Sequence, residues 1–281
     1  MSMAETEAPI GVFDSGVGGL TVLRAIRRRM PSEPTVYLGD TARLPYGPKS
    51  PDTIRRYTSE AARFLVDQGV KAIVIACNTA TAHARAFVEA AVDPPVIGVV
   101  EPGASAAVAA TRNGVIGVIG TRGTIESSSY ERAIRRLGPE TVIHAAAAPL
   151  FVALAEEGWT EGDVARLTAR HYLEPLLARG IDTLVLGCTH YPLLAPILAE
   201  VAGPEVTLID SAEATATTVA ARLRELELDS TRPASDVGSS GARYYVTDDA
   251  ERFRRVADRF LGTPINAVEQ IDLDSRSDAT V

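Results

Sequence analysis

The sequence predicts an α/β protein made of two pseudo-symmetric three-layer domains with mainly parallel sheets and an active site in the cleft between them. Two observations carry that expectation. Apolar, β-branched runs alternate with longer segments of helical period, as in parallel sheets covered by helices on both faces. In addition, two pairs of segments repeat at nearly one offset. "AIVIACNTA" (72–80) and "TLVLGCTHY" (183–191) each give an apolar strand, a small residue and a cysteine, with the cysteines 111 positions apart. "IGVFDS" (10–15) and "IGVIGT" (116–121) repeat at an offset of 106. Either pair alone is what two buried strands show by chance; both, in the same order, point to two related halves.

The first strand, 10–14, stops at Asp14 in "IGVFDSGVGGLTVL", and Ser and Gly fill four of the next five positions before a helical run begins. A glycine-rich turn between strand and helix is a common phosphate cradle. Here "GVGG" is an incomplete G-x-G-x-x-G, and no P-loop Lys-Ser/Thr follows it. Further strands are expected at 34–39, 71–76, 96–100, 115–119, 141–145, 182–187, 205–209 and 243–248. Helices are expected between them, among others at 51–68, 124–138, 161–179 and 211–227. The halves divide near "GVVEPGASAA" (98–107), where a strand ends and a Pro-Gly pair opens a helix, so the second domain is expected over 101–210. After it come a helix, a polar loop (229–242), the strand "RYYVTD" and a helix to about residue 262. That is too little for a domain and is expected to pack back, so the first domain is 1–100 plus 211–281. "MSMAETEAPI" is expected to be a flexible tail, and 272–281 to be disordered.

The 281 residues are 46% hydrophobic, enough to bury a core, and carry a formal charge of −8. This balance argues against nucleic-acid or anionic-membrane binding, which would need a clustered basic excess. The basic runs at 24–30 and 132–137 are read as solvated helix faces. No apolar run is long enough for a membrane span, and the first residues lack the pattern of a signal peptide. A cytoplasmic location is therefore expected, where Cys77 and Cys188 would not form a disulfide by default.

Each cysteine follows a buried strand and precedes a helix, at the edge of a parallel sheet where ligands bind. A helix N-terminus can also lower a thiol pKa. A lone cysteine is most often a small buried hydrophobe. Two at equivalent places in facing halves would flank one cleft. A disulfide is one use of such a pair, and a metal site another, although His83, His144, His171 and His190 lack zinc-site spacing. The third is acid–base chemistry from two sides, one sulfur removing a proton and the other delivering one to the opposite face.

"DSGVGGLTVL", "PYGPKS" (45–50), "ACNTATA" (76–82) and "GCTHYPLL" (187–194) together resemble the cofactor-independent glutamate racemases of bacterial cell-wall synthesis. The resemblance implies that Cys77 and Cys188 are the two catalytic bases, one for each direction. It implies that Asp14 and His190 assist the nearer cysteine, and that Glu156, with Glu157 as the alternative, is a further acidic helper. The implied substrate-binding set is Asp14, Ser15, Pro45, Tyr46, Gly47, Cys77, Asn78, Thr79, Thr121, Cys188, Thr189 and His190. Gly16, Gly18 and Gly19 are left as turn residues. For Asn78, Thr79 and Thr189 simple helix capping is the plain alternative.

A dicarboxylate normally suggests an arginine fork; none stands out in these motifs, and hydroxyls, Asn78 and backbone N–H groups are expected to grip instead. No cofactor and no metal are implied, the partner is glutamate, and a homodimer is expected. DNA gyrase enters by family analogy only. The stretch "HAAAAPLFVALAEEG" departs from the family pattern by its alanines, which leaves the acidic helper open. Aspartate racemase, a sibling with the same paired cysteines, and a non-catalytic two-lobed amino-acid-binding protein are the alternatives.

Overall fold

The computed structural model describes residues 3–233 and 241–273. After a helical turn α1 (Met3–Thr6), the first half runs β1 (Ile10–Asp14), α2 (Leu20–Arg29), β2 (Thr35–Gly39), α3 (Pro51–Asp67), β3 (Ala72–Ile75), α4 (Asn78–Glu89) and β4 (Val96–Gly98). α5 (Val100–Ala110) leads to the second half: β5 (Val115–Gly120), α6 (Arg122–Glu126), α7 (Ser129–Leu137), β6 (Val142–Ala147), α8 (Leu150–Glu157), α9 (Gly162–Leu177), β7 (Thr183–Gly187), α10 (Ala195–Ala202) and β8 (Thr207–Asp210). The chain then continues through α11 (Ser211–Glu225), β9 (Ala242–Val246), α12 (Ala250–Leu261) and β10 (Glu269–Gln270).

Among the described residues every strand pairing is parallel. The first sheet has the order β10-β9-β2-β1-β3-β4, and the second β6-β5-β7-β8. The four strands β2-β1-β3-β4 thus repeat as β6-β5-β7-β8, with β1 matching β5 and β3 matching β7. The sequence repeat is a repeat of topology. β1, β2 and β3 are buried along their whole lengths, which is why they read as unbroken apolar runs rather than alternating ones.

Helices cover both faces of each sheet. α3 and α4 enclose one core with Phe13, Leu38, Ile73, Phe64 and Leu65. α5 and α7 enclose another with Val118, Val185, Tyr130 and Ile134. The largest core is shared: Val12, Leu23, Val219 and Phe260 of the first sheet and its helices join Ile119, Leu186, Phe151 and Leu173 of the second sheet and its helices.

The expected elements differ from the structure in a few places. The helix expected at 124–138 is two helices, broken where Ser128 takes a left-handed φ of 51°. The strand expected at 96–100 ends at Gly98, because Val100 already begins α5. β10 extends the first sheet by a strand that was not expected. Part of the flexible N-terminal tail is fixed: Thr6 O accepts from Lys71 Nζ, and Glu7 pairs with Arg232. The centre of the polar loop 229–242 and nearly all of the 272–281 tail lie outside the described residues. Among the described residues no helix is long and apolar enough to cross a membrane, and no group of three or more His, Cys, Asp or Glu could hold a metal ion.

Candidate active site

The carboxyl ends of both sheets converge on one cavity of about 440 Å³. Its wall contains Ser15, Pro45, Tyr46, Gly47, Cys77, Asn78, Thr79, Thr121, Glu156, Cys188, Thr189 and His190. Asp14 is the one expected residue outside that wall. It is fully buried at the end of β1, behind the wall, where it accepts from Gly16 N–H at 2.9 Å and from Thr189 Oγ1 at 3.5 Å.

The cysteines occupy matching places. Cys77 follows β3 and caps α4, its sulfur accepting from Ala80 N–H at 3.4 Å. Cys188 follows β7, with its sulfur 3.8 Å from His190 Nδ1. Both are 6% exposed. Their electrostatic surroundings differ. Burial, reinforced by the Asp14 charge, pushes the Cys77 thiol up to about 12, against hydrogen bonds from Ala80 N–H and Ser15. The expected lowering at the helix N-terminus is therefore overcome at Cys77, because desolvation of a sulfur anion outweighs the free N–H groups.

On the other side stands an ordered chain of polar groups. His190 Nε2 meets Glu156 Oε1 at 3.0 Å, and Glu156 Oε2 lies 3.5 Å from Arg252 of α12. Burial disfavours the imidazolium. Cys188, Glu156 and the Asp14 charge outweigh it, so His190 is raised from 6.5 to about 10. The hydrogen bond from His190 in turn lowers Glu156 below its ordinary 4.5, against partial burial. For Asp14 burial dominates and raises its pKa, against the nearby His190 charge and three backbone N–H groups. Glu157 is exposed on α8, so Glu156 is the carboxylate that reaches the histidine.

The two halves are stitched together around the cavity. Thr79 Oγ1 lies 2.8 Å from Thr121 Oγ1 and 3.1 Å from Thr124 Oγ1. Gly123 N–H donates to Gly47 O at 3.0 Å, and Tyr130 Oη donates to Asn78 Oδ1 at 2.7 Å. Asn78 Nδ2 is buried and has no acceptor among the described residues. Such orphaned donors are rare, and one in a cavity wall suits a ligand oxygen. Tyr46 is fully buried and aims its hydroxyl away from the cavity, at Asp40 Oδ2. Asp40 is also held by Arg43 Nε at 2.9 Å, and Arg43 pairs with Glu60. Tyr46 therefore forms the wall with its ring and backbone, and its hydroxyl anchors the loop.

Sequence reasoning missed part of the wall: Gly16, Leu44, Pro48, Arg122, Pro149, Val152 and Ala153. Arg122 had a signal, since it follows Thr121 at the carboxyl end of β5, one step past the residue matching Ser15. The apolar residues of α8 had none, because their alanine-rich segment carries no motif.

Comparison with known proteins gives the family of the chain. The model of the Asp/Glu/Hydantoin racemase family matches residues 18–219. A glutamate racemase of Geobacter metallireducens is 54% identical over 269 residues, 96% of this chain and 98% of that protein. A glutamate racemase of Syntrophus aciditrophicus is 52% identical over 265 residues, 94% of this chain and 97% of that one. The crystal structure of glutamate racemase from Francisella tularensis in complex with D-glutamate superposes with a TM-score of 0.89 at 38% identity, covering 96% of this chain and 99% of the other. With a family match across most of its length and the paired thiols at matching strand ends, this chain belongs to the Asp/Glu/Hydantoin racemase family.

Proposed function

We propose that this protein is a glutamate racemase, an amino-acid isomerase that interconverts L- and D-glutamate by proton transfer between two cysteines. The observation that carries the reading is the pair of buried thiols, Cys77 and Cys188, at the ends of equivalent strands and in the wall of one cavity. One sulfur, as thiolate, takes the α-proton. The other, as thiol, gives a proton to the opposite face of the carbanion. One C–H bond breaks and one forms, no electron is gained or lost, and the two sulfurs exchange protonation states.

The asymmetry of the site suits a resting enzyme with one base and one acid. Cys188 has a cationic partner in His190, which Glu156 holds in place. Cys77, raised by burial and by Asp14, is the protonated sulfur. The ammonium group of a bound amino acid supplies a positive charge that favours ionising it in the reverse direction. The α4 N-terminus, Thr79, Thr121 and the orphaned Nδ2 of Asn78 are the donors for substrate carboxylates. The same reading extends to supplying D-glutamate for peptidoglycan synthesis, a cytoplasmic location, a homodimer, and domains over 1–100 plus 211–281 and over 101–210.

The test is optical. Reduced protein and D-glutamate, in heavy water without cofactor, should lose circular dichroism and yield product deuterated at the α-carbon. Signal with aspartate but not glutamate would change the substrate and keep the chemistry. No exchange with either, in folded protein, would leave a binding protein.

A further inference from the structure

Among the described residues, the cavity wall holds three with ionisable side chains besides the cysteines and Tyr46: Arg122, Glu156 and His190. Glu156 and His190 are committed to each other, and Glu156 also to Arg252. Arg122 is not committed. It is exposed at the first position of α6, and among the described residues its guanidinium has no hydrogen-bond or ion-pair partner. Its backbone is fixed all the same. Thr121 caps α6 through Thr124 N–H, and the neighbouring Gly123 N–H is bound to Gly47 O of the facing loop. A free cation is thus carried on a rigid turn at the rim of a cavity in a chain of net charge −8.

An anionic ligand approaching such a chain meets net repulsion. A single positive group at the mouth reverses the sign locally and concentrates anions there. The interior offers hydroxyls, an amide and backbone N–H groups, which suit carboxylates but do not discriminate strongly by charge.

We infer that Arg122 is the residue that recruits the side-chain carboxylate of the substrate and favours acidic over neutral amino acids. The inference deepens the racemase reading and rests on it. Arg122 acts on capture, away from the α-carbon, so it sets KM rather than the rate of proton transfer. Being exposed and unpaired, it can be replaced without disturbing the fold.

The test compares wild type with Arg122→Gln and Arg122→Lys, measuring kcat and KM for D-glutamate at low and high sodium chloride. Protection of the cysteines from iodoacetamide by D-glutamate reads binding independently of turnover. Arg122→Gln should raise KM and the protecting concentration roughly five-fold, about what one partly screened charge contributes, with kcat within about twofold. Salt should raise KM in wild type and have much less effect in the Gln variant. Arg122→Lys should restore most of the loss. If glutamate is racemised and Arg122→Gln matches wild type in KM at both salts, this role is wrong and the racemase reading stands. A drop in kcat at unchanged KM would equally overturn it. Wild-type protein that neither racemises glutamate nor is protected by it would overturn the racemase reading and this role together.

Discussion

His190 is held between Glu156 and Cys188, one ring nitrogen 3.0 Å from the carboxylate and the other 3.8 Å from the sulfur. Each partner favours the charged imidazole, whose pKa is raised from 6.5 to about 10 despite burial. A raised histidine stabilises the fold fully below its ordinary pKa of 6.5, and the contribution is lost as pH rises through about 10. Glu156, lowered from 4.5, contributes above that value and loses its share as pH falls through its folded pKa. Replacing Glu156 with Gln should therefore destabilise the protein between roughly pH 5 and 9 and matter little outside that range. The alkaline limb of the kcat/KM profile should move down by about one pH unit or more. Thermal unfolding against pH, beside a pH–rate profile, checks both. An unmoved profile would mean that Glu156 does not act on the histidine.

The two sulfurs should differ in reactivity before any substrate arrives. Cys77 is pushed up to about 12, whereas Cys188 has a cation beside it. Iodoacetamide at pH 8, followed by peptide mass spectrometry, should label Cys188 ahead of Cys77 by about tenfold or more. Cys77→Ser and Cys188→Ser should each lower racemisation at least about a hundredfold in both directions, with the fold intact. Near-normal rates in either variant would rule out the two-thiol mechanism.

Gly18 is required by what stands against it. A Cβ there would sit 2.3 Å from Thr189 Oγ1 and 2.5 Å from His190 Nδ1. Gly18→Ala should cost about 1–3 kcal/mol and displace the histidine, lowering activity more than stability. Urea midpoints and kcat measured together separate the two effects.

The loop that carries Tyr46 depends on charges outside the cavity. Asp40 is completely buried and accepts from Tyr46, Arg43 and Thr247. Arg43→Gln leaves that carboxylate without its cation and should cost about 3–5 kcal/mol. Tyr46→Phe removes one donor and should cost about 1–3 kcal/mol. Denaturation midpoints for both variants, with KM for D-glutamate, test whether the anchor also shapes the site.

Much of this was legible beforehand because buried parallel strands write themselves as apolar runs. The segments around Cys77 and Cys188 each end those runs with a small residue, Ala76 or Gly187, and then a thiol, so the repeat of topology appeared as a repeat of pattern. The misses have physical causes. β10 is two exposed residues, Glu269 and Gln270, paired to β9 through their backbone, and no side-chain pattern encodes such a strand. The break at Ser128 is a left-handed residue in a run of serines, which composition does not reveal. The raised Cys77 pKa comes first from burial and then from Asp14, which is remote in sequence and reaches the site only when β1 and β3 pair. Arg122 could be seen as a letter, but its freedom from partners is a property of the folded surface.

The core that runs from Leu23 and Val219 through to Ile119 and Leu173 belongs to neither half alone. Either half alone would leave that face in water, so cutting the chain at the repeat boundary would yield fragments with an apolar flank rather than two small proteins.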